Sequence, residues 1–193
     1  MYKNQFSKFT AIEKQPETFL MEHPIIVDSR DRDRNIYPNT NNFSVKFGDN
    51  SLGNIPCDLN DIACIELNQV IMPQTINSGT TGVSYINLVI PELDNILHGT
   101  NTKLNCGFAI LSPQDVYGNS FLSSKLYRPV KRHFRPPKSS LHKLTFQFYD
   151  PDGNLFDFGA DTESNNPIEN DVQVMLYFTI YTKEPIQQPT YFR

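Results

Sequence analysis

The chain of 193 residues is long enough for one domain with arms. Hydrophobic residues make up 38%, with 14 Phe, 9 Tyr and no Trp, while charged residues reach only 20% and Pro numbers 14. That mixture suits a β protein with many turns. A net charge of −4 gives no global pull toward nucleic acid or an anionic membrane.

No apolar run follows a basic segment near residue 1, so no secretory leader is expected, and no apolar stretch approaches the ~20 residues that span a bilayer. Cys57, Cys64 and Cys106 are odd in number and form no CxxC. Free thiols in a reducing compartment are expected, without zinc.

In chain order, residues 1–22 read as an arm, in which Phe6, Phe9 and Phe19 are isolated apolar anchors. Alternation places strands at 24–29 and 42–48, the second with Phe43, Val45 and Phe47 on one face. A third strand spans 62–72 and stops at Pro73. Further strands fall at 84–90, 104–111, 124–130 and 142–149, and residues 91–100 hold one helical turn or plain loop. Asp150-Pro151-Asp152-Gly153 has the residue order of a type I turn, followed by a short return strand over 155–158. The acidic, Asn-rich stretch 161–171 is a loop. The nearly unbroken apolar run 172–182 predicts a central strand covered on both faces. A Pro-broken tail ends the chain.

These elements make an all-β fold: an eight-stranded antiparallel single jelly-roll sandwich over residues 23–183, with an N-terminal arm (1–22) and a C-terminal tail (184–193). The chain is organised around the connector DSRDRDRNIYPNTNNFSVKF, residues 28–47. Its near-alternating Asp28, Arg30, Asp31, Arg32, Asp33 and Arg34 have two readings. One is a solvated loop with screened pairs, each worth about 0–1 kcal/mol. The other is an ordered clamp, inside the fold or at a subunit contact, in which arginine forks grip carboxylates.

Catalytic patterns are missing. His23, His98, His133 and His142 are scattered, and no GxSxG, phosphate loop or HExxH occurs. No enzyme activity, cofactor or metal is expected. Asp150, Asp152, Asn154 and Asp161 imitate a calcium loop, but Gly153 comes two positions too early. The one region of single sign is 125–143, with Lys125, Arg128, Lys131, Arg132, Arg135, Lys138 and Lys143, and no acid between Asp115 and Asp150. It is either a solvated loop or a surface for acidic partners, with the acidic region 157–171 of a neighbouring copy as a candidate. Nucleic acid is not expected, since no stacking aromatics alternate with these charges.

Three segments, DSRDRDRNIYPNTNNFSVKF, IELNQVIMPQTIN and LHKLTFQFYDPDGNLFDFG, are spread between residues 28 and 159. Taken together, the chain resembles small capsid proteins of the large nucleocytoplasmic DNA viruses that infect algae and amoebae. The resemblance implies a virion structural protein with one jelly roll and names no catalytic residue. Lacking a second barrel, the chain departs from the major capsid protein of such viruses. The resemblance therefore implies a minor capsid protein, most naturally the pentameric vertex (penton) of an icosahedral capsid. Its implied partners are copies of itself, the major capsid protein and other minor capsid proteins, and its implied place is the virion, assembled in the host cytoplasm. Candidate subunit-contact or clamp residues are the six connector charges with Arg128, Arg132 and Arg135. The alternatives are a cement protein away from the vertex, or a β-sandwich that binds glycan on Tyr85, Tyr117 and Phe121.

Overall fold

The computed structural model describes residues 18–51, 53–73, 85–93, 97–102, 105, 107–111, 121–159, 161 and 172–186, with backbone only at 73 and 121–128. The described chain is all-β, with eight strands in two antiparallel four-stranded sheets. The strands are β1 (Thr18–Asp28), β2 (Asn42–Lys46), β3 (Leu59–Pro73), β4 (Ile86–Val89), β5 (Ala109–Leu111), β6 (Phe121–Leu141), β7 (Lys143–Tyr149) and β8 (Met175–Pro185). One sheet runs β1-β8-β3-β6 and the other β2-β7-β4-β5. Two short 3-10 helices, Ser29–Asp31 and Pro91–Leu93, follow β1 and β4. No helix among the described residues is long and apolar enough to cross a membrane.

Period-two alternation turns one face of each sheet inward. Ile25 and Val27 of β1 lie opposite Phe178 and Leu176 of β8, and these face Leu67 and Val70 of β3. In the other sheet Phe43 pairs with Phe146 and Val45 with Leu144. The two faces meet in one core, where the Phe146 ring stands 5.3 Å from Phe43 and 5.8 Å from Phe178 across the sheets. Each such buried ring contributes about 1.5–3 kcal/mol.

Several boundaries differ from the sequence reading. β1 begins at Thr18, so residues 18–22 of the expected arm are strand, paired with Tyr181–Pro185. These residues project past the core, and Phe19, Leu20 and Met21 are exposed, which is why they show no alternation. Phe6 and Phe9 lie outside the described residues. β6 runs to Leu141, well past the expected end at 130. Its prolines hold the backbone extended, and because β6 is an outer strand their missing donors need no partner. β8 is flanked by β1 and β3, as a central strand should be. Only its inward face is fully covered, since Met175, Tyr177 and Tyr181 on the other face are half-buried. The return strand over 155–158 reduces to one bridge, Tyr149 to Leu155.

Candidate functional site

The connector charges divide into two kinds. Asp28 caps the 3-10 turn by accepting from the Arg30 amide at 2.9 Å, and its carboxylate holds the Arg30 guanidinium through Nε at 2.8 Å and through Nη2. This pair is local and largely exposed, and Asp28 holds the Arg30 guanidinium above its usual pKa. Asp31 and Asp33 are exposed. They carry the solvated reading.

Arg32 carries the clamp reading. Its side chain is fully buried, as is that of Asp161, and Arg32 Nη2 lies 3.0 Å from Asp161 Oδ2. Nε donates to the Tyr37 carbonyl at 2.8 Å. Nη1 donates to the Ser29 carbonyl at 2.8 Å and to Gln173 Oε1 at 2.9 Å, and Nη2 also donates to the Pro38 carbonyl at 3.0 Å. Gln173 Nε2 donates to Asp161 Oδ2 at 2.8 Å, and Arg34 Nη1 reaches Asp161 Oδ1 at 3.4 Å. Burial pushes the Arg32 guanidinium below its usual pKa, and the hydrogen bond and charge of Asp161 push it back up. A full set of acceptors is what makes a buried guanidinium tolerable.

The clamp fixes the connector to the segment that leads into β8. Ser29 and Val174 exchange Ser29 N to Val174 O at 2.9 Å and Val174 N to Ser29 Oγ at 2.8 Å, and Thr40 Oγ1 donates to the Val172 carbonyl at 2.8 Å. Asp161 falls in the acidic loop that was a candidate contact for a neighbouring copy, but here it is occupied within its own chain. Asp150, which with Asp161 imitates the ends of a calcium loop, accepts from the Asn154 amide at 2.8 Å in an ordinary turn closed by Gly153 N to Asp150 O at 3.0 Å. Among the described residues no three metal-ligating side chains come together.

The basic stretch is mostly β6. Lys131 is paired with Glu66 at 3.0 Å, and Lys143, at the start of β7, with Glu92 at 3.5 Å. Glu66 also accepts from Tyr181 at 2.8 Å on the outer face of the sheet, and this hydrogen bond, with burial and the Glu66 charge, pushes the Tyr181 hydroxyl up to about 12. The Arg132 guanidinium lies 5.8 Å from the centre of the Phe134 ring. Arg135 is exposed and Lys138 half-buried, and neither makes an ion pair among the described residues. The side chains of Lys125, Arg128 and Phe121 are not described, and Tyr117 lies outside the described residues; Tyr85 is half-buried. Cys57 and Cys64 are free thiols raised in pKa by burial, and Cys106 lies outside the described residues.

Sequence reasoning missed two features. Asp161 carried no signal that set it apart from its acidic neighbours. A groove of about 350 Å³ between the end of β1 and the loop after β2 is made by residues distant in sequence. Comparison with known protein families and with curated proteins found no match.

Proposed function

We propose that this chain is a virion structural protein, a minor capsid protein built as a single jelly roll that forms the vertex of an icosahedral capsid. The observation that carries the reading is the strand order. Sheets ordered β1-β8-β3-β6 and β2-β7-β4-β5, with the first and last described strands adjacent, are compatible with a jelly roll and support that reading. Among the described residues, the three segments that resemble small viral capsid proteins run from the end of β1 through β2, along β3, and from the end of β6 through β7 and its turn. The clamp supports it further. A shell protein works by holding its shape under load, and this chain invests its buried charges in a latch between connector and β8.

A single compact unit suits fivefold repetition, because one surface pair used head to tail closes into a ring. The test is position. Purified particles imaged by cryo-EM should show this chain as five copies about each fivefold axis. Density for it only beneath the shell, away from those axes, overturns the vertex reading in favour of a cement protein.

A further inference from the structure

β1 and β6 are the two outer strands of one sheet, and their sides carry opposite charge. On the β1 side Glu22, Asp31 and Asp33 are exposed and make no ion pair among the described residues. On the β6 side Arg135 and Lys138 are left over once Lys131 is paired with Glu66. β6 also departs from its ladder there. Between the pairs Cys64–His133 and Ile62–Lys138, four residues of β6 stand opposite Ala63 alone. Phe134 packs on the core, while Arg135 and Pro136 are exposed.

The groove lies at the opposite edge. Ile26, Val45, Ile55 and Pro56 give it apolar walls, and Asp28 and Asp31 give it two carboxylates. Asp28 is already held by Arg30 in an ion pair, whereas Asp31 feels the Arg30 charge only at longer range and makes no ion pair among the described residues. The loop lies directly on the 3-10 turn: a Cβ on Gly53, whose φ is +80°, would come within 2.2 Å of the Asp31 carbonyl oxygen. Apolar walls with one exposed carboxylate that makes no ion pair match a long cationic side chain, its methylenes on the walls and its head on the acid.

We propose that this groove receives Arg135 from the β6 bulge of a second copy of this chain, so that copies join head to tail. Groove and arginine lie on opposite edges of one sheet, so the contact is heterologous and every copy offers both halves. Pro129, Pro136 and Pro137 remove three backbone donors from β6, which makes this a side-chain contact and not a continued sheet. Exposed Leu20 and Ile26 on β1 supply apolar area beside the charges. The inference rests on the self-association expected of a vertex protein and gives that association a surface.

The experiment is sedimentation of the full chain over a concentration series, at low and high salt. The wild type should associate, less so at high salt. Arg135→Glu and Asp31→Arg should each weaken association about tenfold or more. The combined D31R/R135E chain, with the charges exchanged, should recover it. Both residues are exposed, and unchanged melting temperatures would show that all three variants fold. A monomeric wild type, single variants that associate as well as wild type, or a combined variant no better than the singles would each overturn the proposal. None of these results bears on where the chain sits in a particle, so the vertex reading keeps its own test.

Discussion

Asp161→Ala removes the only carboxylate that Arg32 reaches inside the fold among the described residues. It leaves a buried guanidinium, with Arg34 beside it, facing an uncompensated site. Breaking one side of a buried pair costs about 3–5 kcal/mol, because the stranded charge stays desolvated. For a domain of this size each kcal/mol lowers the melting temperature by roughly 2–4 °C, so a fall of about 6–20 °C is expected. Asp161→Asn can keep the oxygen that Arg32 and Gln173 share but turns its amide toward the Arg34 guanidinium, so it should fall between Asp161→Ala and wild type. The control is Asp28→Ala, which breaks the exposed pair with Arg30 and should cost no more than about 1 kcal/mol. Urea unfolding followed by tryptophan-free probes, tyrosine fluorescence and circular dichroism, measures all three. If Asp161→Ala and Asp28→Ala prove equally mild, Arg32 is not a clamp, and the connector is the solvated loop of the competing reading.

Three further outcomes follow from the geometry. Gly153 has φ +83°, so Gly153→Val should destabilise the turn after β7 by about 1–3 kcal/mol, and an unchanged melting temperature would show that the turn adapts. The Tyr181 hydroxyl is raised from 10.0 to about 12 by Glu66, so the neutral phenol is favoured by folding; its contribution is intact below pH 10 and lost as pH rises toward 12. Absorbance titration should show one late tyrosine that disappears in Tyr181→Phe, and its persistence there would assign it elsewhere. Deleting residues 1–22 removes five paired but exposed positions of β1 and keeps Ile25 and Val27, so the truncated chain should still melt cooperatively; an insoluble or molten product would place the removed segment in the core.

Alternation carried most of the fold. Phe43, Val45 and Phe47, and Leu144, Phe146 and Phe148, are all buried, and the Asp-Pro-Asp-Gly turn sits where its residue order places it. What differed was the end of β6 and the start of β1. Pro129, Pro136 and Pro137 end a central strand but not an outer one, and whether β6 is outer depends on the order of all the others. The β1 extension shows no pattern because neither of its faces is buried there. Within the candidate site, the Asp-Arg repeat announced a clamp or a solvated loop and could not say which arginine turns inward. That choice is made by Asp161 and Gln173, which come from the far end of the chain.

Among the described residues, the first strand to be made has as its only sheet partner the last, and Arg32 meets Asp161 across 129 residues. On a ribosome adding roughly 5–20 residues per second, about 6–26 s pass between the two. Through that interval β1 has no ladder to join and Arg32 no acid to hold, while the β2, β3, β4 and β6 segments emerge and β7 follows. Contacts this distant make for slow folding. β1 spends the wait as an unpaired edge, and Glu22 and Pro24 within it are the residue types that keep such an edge from pairing with another chain. β8 is therefore the strand that captures β1, and a nascent chain stopped before residue 161 has neither the β1–β8 ladder nor the latch.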